Sequence, residues 1–554
     1  MRGRKISGWL LSLAVVFLVF YLFLFGAGPR EEKDNTITYT MFSCDINSQY
    51  ENMESPVGRK ITELTGVRLQ MEYPVGDVQQ KIALMIASGD YPDLIYFKGS
   101  EGPKLVDAGA LVKLDPYIEK YGDNIKKLYG AHLNRLRFSL QDPSIYGLGS
   151  MGVGGTEFDT TGGFQLQHAV VMELGYPRLK TLKDLEEALL TYIENNPVID
   201  GQDTIGLSLL ADDWRFMISV TNPAFYATGA PDDGEFYIDS ESFQAVLHHT
   251  RPEEKEYFRW LNHMNHTGLL DPESFVQKHD QYLAKIASGR VLALADAKWQ
   301  YGPGEQALRQ AGKEERMYGL YPLVLDERYK YAAFRPTGYQ GGYGVGITVK
   351  CQDPAGAFNF LDWMASDEAQ ILNNWGIEGL HYHIVDGKRV IPADEWEKRN
   401  TDPYYQKKTG IGVYAYPFPQ YGDGVKDPTG QYYTPNFPGN IIAGYTETER
   451  KVLAAYGVEM WKDLFPPEEE FTVSPWGVGW KITVPDDPAY LVPWQKIQEI
   501  IRKRIPEAIL AAPGEFDGVW DKFLAELDAA GLQQCEEIFT RCVFDTIELW
   551  NMEL

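Results

Sequence analysis

Cysteine is scarce in this sequence, with four residues among 554. Two bridges cannot form the framework of so long a chain, so a disulfide-stapled scaffold is excluded. Cys535 and Cys542 are seven residues apart, about 10.5 Å along a helix, which is more than a disulfide spans between Cα atoms. We therefore predict that all four cysteines are small apolar side chains without covalent partners.

Positive charge is also in short supply. Lys and Arg number 52 against 78 Asp and Glu, giving a formal net charge of −26. A surface of this sign repels phosphate backbones, which argues against nucleic-acid binding. Apolar residues make up 44% of the chain and charged residues 23%, so a disordered or fibrous chain is excluded. The length predicts two to four domains or lobes.

The common catalytic motifs are missing. The sequence contains no P-loop, no G-x-S-x-G, no H-E-x-x-H and no paired C-x-x-C. The pairs His263–His266 and His381–His383 have the spacing of metal ligands, but no recognisable zinc pattern surrounds either pair. Adjacent carboxylates are predicted to form solvated acidic surface, because a glycosidase needs two that face each other across a cleft.

The N-terminus indicates export from the cell. Three basic residues within 1–5 precede an apolar run from Trp9 to Phe25. Such a run is long for a cleaved signal peptide and just long enough to cross a bilayer. The positive-inside rule places the rest of the chain outside the membrane. We therefore predict that residues 1–28 are a signal or transmembrane anchor, preferably uncleaved, and that 29–36 are a linker to the extracellular face.

Alternating strand and helix patterns follow the linker. Residues 37–43, 67–74 and 93–97 have strand patterns, and helical patterns lie between them at 56–65 and 79–88. This order predicts a parallel α/β sheet. Further along, Thr181 and Asp184 predict a capped helix start. Residues 401–440 predict an ordered Tyr/Pro/Gly-rich insertion, and the tail predicts two packed helices.

Aromatic residues are abundant, with 34 Tyr, 26 Phe and 13 Trp. Five tryptophans stand beside Gly, Asp or Asn rather than inside periodic apolar runs: Trp214, Trp299, Trp375, Trp476 and Trp480. Sugars offer C–H faces that stack on aromatic rings and hydroxyls that bond to polar side chains. The surplus therefore favours a saccharide-binding cleft, although large aromatics also fill protein cores.

Several segments, taken in order, resemble the bacterial extracellular solute-binding proteins of ABC importers, and in particular the large carbohydrate-binding lipoproteins of Gram-positive bacteria. The segments are ASGDYPDLIYF (87–97), IYGLG (145–149), DTIGLS (203–208), residues 227–299, and WGIEGLHYHIVDGK (375–388). The resemblance implies a monomeric α/β protein of the type II binding-protein fold, with two lobes, a hinge and an interlobe ligand cleft. We assign 36–150 plus 331–370 to lobe 1, and 151–330 plus 371–554 to lobe 2.

The same resemblance suggests which residues hold the ligand. We expect four aromatic residues to stack on sugar rings and three polar residues to bond to hydroxyls. The stacking residues are Trp214, Trp299, Trp375 and Tyr382, and the polar residues are Asp296, Glu378 and His381. Glu378 is equally compatible with a buried structural role.

Two departures from the family pattern bear on attachment and cofactors. No lipobox cysteine closes the apolar run, so a lipid anchor is not expected. The region NNPVIDGQDTIGL has apolar residues where a calcium loop needs oxygen ligands. We expect no cofactor, with weak calcium binding by Asn195, Asp200 and Asp203 as the alternative.

The leading functional hypothesis is therefore capture of an oligosaccharide outside the cell and its delivery to an ABC permease. One alternative is a membrane-anchored sugar receptor that signals to a sensor kinase. The other is a secreted glycan-degrading enzyme.

Overall fold

The computed structural model describes residues 36–99, 101–160, 162–333, 336–341 and 344–552. The predicted anchor 1–28 and almost all of the predicted linker lie outside these ranges. Among the helices within them, none is both long and apolar enough to cross a membrane.

The strands are short and fall into two main sheets and several small hairpins or ribbons. They are β1 Ile37–Ser43, β2 Val67–Glu72, β3 Leu94–Phe97, β4 Leu148–Gly149, β5 Gly152–Val153, β6 Gly162–Gln167, β7 Val198–Ile199, β8 Gln202–Asp203, β9 Ile205–Ser208, β10 Phe236–Ile238, β11 Ala245–Leu247, β12 Val291–Ala297, β13 Tyr318–Tyr321, β14 Gly344–Ile347, β15 His383–Val385, β16 Lys388–Val390 and β17 Gln420–Tyr421.

Helices surround both sheets. They are α1 Pro56–Thr65, α2 Val78–Ser88, α3 Glu101–Asp107, α4 Asp115–Tyr121, α5 Asp123–Tyr129, α6 His168–Glu173, α7 Leu182–Asn195, α8 Asn222–Ala227, α9 Pro252–His266, α10 His279–Ser288, α11 Lys298–Gln310, α12 Pro354–Met364, α13 Asp367–Trp375, α14 Ala393–Thr401, α15 Tyr405–Thr409, α16 Pro438–Gly444, α17 Glu447–Tyr456, α18 Pro488–Leu510, α19 Phe516–Ala529 and α20 Leu532–Trp550.

Lobe 1 is built on a five-stranded sheet of order β2-β1-β3-β14-β4. β1 runs parallel to β2 and β3, whereas β14 is antiparallel to β3 and β4. Alternate residues of β1 enter different cores: Tyr39 and Met41 face one, Phe42 the other. Both faces are therefore covered by helices, as is usual for parallel sheets.

Lobe 2 is built on a four-stranded mixed sheet of order β13-β6-β12-β9. β12 is parallel to β9, and β6 is antiparallel to both of its neighbours. The C-terminal helices α18, α19 and α20 pack on the core of this lobe, and α19 and α20 are the two helices predicted for the tail. Trp476 is 1% exposed and belongs to the same core, so its ring fills the interior.

Local signals define the helix ends as the sequence predicts. Thr181 and Asp184 form a complete capping box at the start of α7. Ser366 caps α13 by accepting a hydrogen bond from the backbone of Ala369, which separates α12 from α13. All four cysteines are buried and free.

The structure differs from the predicted lobe boundary after residue 370. Leu372, Tyr405, Tyr414 and Tyr433 pack in the core of lobe 1, although residues 371–554 were expected in lobe 2. Ile441 and Ile442 are the first residues of this region to pack against the core of lobe 2, and Tyr445 is the first to be buried in it. The Tyr/Pro/Gly-rich insertion therefore rests mainly on lobe 1. The described residues change lobe three times along the chain: between β5 and β6, between β13 and β14, and between Tyr433 and Ile441.

Candidate ligand-binding cleft

Two exposed tryptophans stack on each other at one edge of the lobe 2 sheet. Trp214 follows β9, and Trp299 is the second residue of α11, directly after β12. Their ring centroids are 5.7 Å apart with an interplanar angle of 15°, and the residues are 45% and 59% exposed. The guanidinium carbon of Arg215 lies 5.1 Å from the centroid of Trp214. β9 and β12 are parallel neighbours, so the segments after their carboxyl ends meet at the same edge.

Asp296 precedes Trp299 by three positions, near the end of β12, and is 1% exposed. One carboxylate oxygen accepts a hydrogen bond from the Tyr282 hydroxyl at 2.7 Å. The other accepts from the backbone N–H of Ala297 at 2.7 Å and from Gln300 Nε2 at 2.8 Å. Burial raises the pKa of Asp296 to about 7. These bonds fix the start of the helix that carries Trp299; direct bonding of Asp296 to ligand stays a prediction.

A polar network occupies the corresponding edge of the lobe 1 sheet. Asp45 follows β1 and Lys98 follows β3, and Lys98 Nζ lies 2.6 Å from Asp45 Oδ1. The Tyr416 hydroxyl donates to Asp45 Oδ2 at 2.6 Å. Its oxygen also lies 2.5 Å from the Tyr96 hydroxyl. Burial and these neighbours raise the pKa of Tyr416 well above its ordinary value. These residues were not predicted from the sequence; the available signal was a charged residue just after each buried strand.

Two of the cavities with walls from both lobes border the elements that carry the tryptophan pair. Cavity A, of about 810 Å³, is lined mainly by lobe 1 residues, including Ser150, Arg399, Tyr416 and Gln420, together with Gln306 of α11.

Cavity B, of about 630 Å³, is lined by Gln79, Gly99 and Lys104 of lobe 1. It is also lined by Met217, Ile218 and Asn222, which follow Trp214 along the chain. The elements that carry the tryptophan pair thus border both cavities, although neither tryptophan itself lines either of them.

The carboxyl group of Asp232 bonds to Asn222, a residue that lines cavity B. The Asn222 side chain donates to Asp232 Oδ1 at 2.8 Å. Burial, with a smaller contribution from Glu235, raises the pKa of Asp232 to about 7. The lobe 2 side of the cleft therefore holds two carboxyl groups, of Asp232 and Asp296, whose charged forms are disfavoured.

Trp375 lies elsewhere, in the interior of lobe 1. It is 2% exposed, and its indole N–H donates to the carbonyl oxygen of Tyr432 at 3.1 Å. Tyr382 packs edge-on at 6.0 Å between centroids, and the Arg389 guanidinium carbon lies 5.2 Å from the ring centre. With its ring enclosed, Trp375 is not available to a ligand in this conformation.

The other predicted residues of this segment surround Trp375. His381 is 4% exposed, and its Nδ1 accepts a hydrogen bond from the backbone N–H of Ile377 at 2.9 Å. Burial lowers the pKa of His381. Glu378 is exposed rather than buried.

The seven predicted site residues therefore form two separate groups. Trp214, Asp296 and Trp299 lie together in lobe 2, and 375–382 form one cluster in lobe 1. The second group is linked to cavity A by Arg399, which lines it and donates to the Trp375 carbonyl oxygen at 3.3 Å. Ligand contact by either group stays a prediction.

The residues considered for metal binding do not form a cluster, and several of them already bond to other protein groups. No group of three or more His, Cys, Asp or Glu with metal-binding geometry occurs in the parts of the chain that the structure describes. Asp200 sits in the turn between β7 and β8, and its Oδ2 pairs with Lys313 at 2.6 Å. Asn195 ends α7 and Asp203 ends β8. This arrangement does not assemble a calcium loop, so binding by these three residues remains an untested prediction.

Both histidines of the pair His263–His266 have protein partners too. His263 Nε2 lies 2.8 Å from Glu186 Oε1, and His266 Nε2 donates to the Ala511 carbonyl oxygen at 2.8 Å.

Comparison with known proteins gives a consistent result. The lipoprotein LipO of Bacillus subtilis is 23% identical over 380 residues, which cover 66% of this chain and 71% of LipO. The fructooligosaccharide ABC transporter substrate-binding protein FusA of Streptococcus pneumoniae is 23% identical over 270 residues, covering 46% of this chain and 48% of FusA.

Solved structures share the fold. An HMO-binding, ABC-transporter-associated solute-binding protein of Bifidobacterium longum infantis superposes with a TM-score of 0.67 at 13% identity, covering 92% of this chain and 99% of that one. The alginate-binding protein AlgQ2 superposes with a TM-score of 0.65 at 16% identity, covering 92% and 98%.

The model of one family, described as bacterial extracellular solute-binding protein, matches residues 57–375. This match spans more than half of the chain, and the protein therefore belongs to the bacterial extracellular solute-binding proteins.

Proposed function

We propose that this protein captures an oligosaccharide in the cleft between its lobes and delivers it to an ABC permease in the membrane. The observation that carries the proposal is the exposed, stacked pair Trp214–Trp299, carried by elements that border two cavities with walls from both lobes. Flat indole faces bind the C–H faces of sugar rings, and the surrounding side chains can bond to hydroxyls. FusA, AlgQ2 and the Bifidobacterium protein are named for the carbohydrates that they bind. Their similarity to this chain supports a carbohydrate ligand here.

The charges near the pair favour a neutral sugar. Lys98 lies 2.6 Å from Asp45, and Lys278 lies 2.7 Å from Asp212. Arg215 pairs with Asp213. Because these cations are matched by carboxylates, they offer no net positive charge to an acidic sugar. We expect hydroxyl groups to be recognised by the paired side chains.

The three crossings between the lobes serve as a hinge in this proposal. Ligand that touches Trp214 or Trp299 from one side and the Asp45–Lys98–Tyr416 network from the other would favour the closed state over the open one. The closed form would then be the one that the permease recognises outside the cell. The basic, apolar N-terminus supports export and tethering, with the anchor itself outside the described residues.

A thermal-shift screen tests the proposal directly. The purified protein is heated with fructo-, manno-, xylo- and gluco-oligosaccharides and, for comparison, alginate oligosaccharides. We expect one neutral series to stabilise the protein, by about 2.7 kcal/mol at a hundred times its Kd. The sugar should be recovered unchanged. Turnover of the sugar would instead support the enzyme hypothesis, and a blank with every series would contradict oligosaccharide binding.

Substitution of the tryptophan pair provides the second test. Trp214→Ala and Trp299→Ala should each weaken binding by about 1–3 kcal/mol, or roughly 5- to 150-fold. The melting temperature without ligand should change little, because both rings are about half exposed. Phe544→Ala is the matched control, since Phe544 is 44% exposed on α20 and lies outside cavities A and B. Unchanged affinity in both tryptophan variants, measured by calorimetry, would reject the pair as the sugar platform.

A further inference from the structure

Cavity B has an aromatic wall that the C-terminal part of the chain supplies. Tyr490 and Trp494 of α18 stack with centroids 5.9 Å apart, and Trp494 stacks on Phe236 at 5.0 Å. Phe236 stacks in turn on Phe539 at 4.4 Å. Trp480 completes the lining and is 44% exposed. Four of these five residues lie beyond 57–375, the part of the chain that the family model matches.

The rim of the same cavity is rich in amides. Gln495 and Gln498 of α18 and Asn222 line it from lobe 2, and Gln79 lines it from lobe 1. A side-chain amide both donates and accepts hydrogen bonds, which suits a sugar hydroxyl that does the same. An apolar floor with convergent polar groups, in a volume of about 630 Å³, is typical of a small-molecule site.

Helix α18 joins this cavity to the tryptophan pair. Arg502, one turn beyond Gln498, donates through Nη1 to the carbonyl oxygen of Asp213 at 2.9 Å. Asp213 directly precedes Trp214. From Trp494 to Arg502 the helix rises about 12 Å. The aromatic wall therefore lies at one end of this helical segment, and the loop that carries Trp214 contacts its other end. The two aromatic surfaces can serve as platforms for successive units of one sugar chain.

We propose that cavity B is a distal subsite that holds the far end of an oligosaccharide whose near end stacks on Trp214 and Trp299. This inference rests on the proposed function and adds ligand length to it. A disaccharide engages one platform, and a longer chain engages both. The C-terminal segment 479–498 thus selects for chain length.

A length series tests the subsite. Calorimetry is performed with fructo-, manno- and xylo-oligosaccharides of two to six units on the intact protein and on Trp480→Ala. For the intact protein we expect affinity to rise about tenfold or more between two and four units. Trp480→Ala should lose this rise and leave disaccharide affinity within about twofold. Trp299→Ala should weaken binding at every length.

Controls separate the subsite from general damage to the protein. Phe544→Ala, with the same 44% exposure as Trp480, should reproduce the intact protein at every length. The double variant Gln495→Ala/Gln498→Ala alters only exposed side chains of α18 and should also lose the length dependence, even if Trp480→Ala folds poorly. Affinity independent of length, or unchanged length dependence in both cavity variants, would overturn the subsite alone. Failure of every series to bind the intact protein would overturn the proposed function and the subsite together.

Discussion

Replacing Trp375 by alanine is expected to lower the free energy of unfolding by about 3–5 kcal/mol, the usual range for a large buried aromatic. The ring is 2% exposed and packs against Tyr382, Phe437 and Arg389. Its removal would leave a cavity in this small cluster. Arg389 and Asp427 form an ion pair of 2.7 Å whose side chains are only 5% and 2% exposed. Removal of the ring would also weaken the packing around this pair.

Urea unfolding of the intact protein, Trp375→Ala and Trp299→Ala measures this effect. Trp299→Ala is the matched control, because it removes the same side chain from a position that is 59% exposed. We expect the unfolding midpoint to fall for Trp375→Ala and to stay nearly constant for Trp299→Ala. The opposite pattern, with a stable Trp375→Ala that binds sugar weakly, would show that the ring stacks on ligand as the sequence suggests.

The contrast between these two tryptophans shows what the sequence can predict. Both stand among polar or small residues, so periodicity does not distinguish them. Trp299 is exposed because it directly follows a strand that ends at the cleft. Trp375 is buried because the segment around Tyr432, 57 positions later, packs against it. The backbone carbonyl of Tyr432 accepts a hydrogen bond from the indole N–H. Local spacing contains no information on such a contact.

Elements set by short-range physics were predictable. β1, α1 and α7 lie where alternation, helical spacing and capping residues place them. The order of strands and helices near the N-terminus also predicted the parallel part of the lobe 1 sheet. These features depend on neighbours within a few residues, which a single sequence contains in full.

Long-range packing was not predictable in the same way. Residues from 371 onward were predicted in lobe 2, whereas Leu372, Tyr414 and Tyr433 pack in the core of lobe 1. Local spacing does not indicate which of two cores such residues join. The meeting of Trp214 with Trp299, 85 positions apart, requires knowing that β9 and β12 are neighbours. Asp45 and Lys98 were missed for the same reason: they meet through the pairing of β1 with β3.

Replacing Asp296 by asparagine is expected to change how stability depends on pH. The ordinary pKa of an aspartate is near 4, whereas burial raises that of Asp296 to about 7 in the folded protein. Between these two values the folded protein keeps a proton that the unfolded chain has released. Stability contributed by this group is therefore lost as pH rises from about 4 to 7, by a total on the order of 4 kcal/mol.

Asparagine has nearly the same shape and does not titrate. Its oxygen can accept from Ala297 and Gln300, while the Tyr282 hydroxyl loses its carboxylate acceptor, a pH-independent cost of about 1 kcal/mol. The difference in stability between Asp296→Asn and the intact protein should therefore grow in favour of the variant from pH 4 to 7 and then level off. Asp232 titrates in the same window but is present in both proteins, so its contribution cancels.

Unfolding free energies measured at intervals from pH 4 to 8 give this difference directly. Tyr282→Phe is the sharpest control, because it removes the 2.7 Å hydrogen bond and keeps the carboxyl group. That bond lowers the pKa of Asp296 against the effect of burial. Its loss should leave the pH dependence in place and extend it to higher pH. A constant difference between Asp296→Asn and the intact protein across the range would mean that the carboxyl ionises normally, in contact with water in the cleft. Asp296 would then be free to bond directly to a sugar hydroxyl, whereas the expected pH dependence would assign it to holding the start of α11 and the Trp299 ring in place.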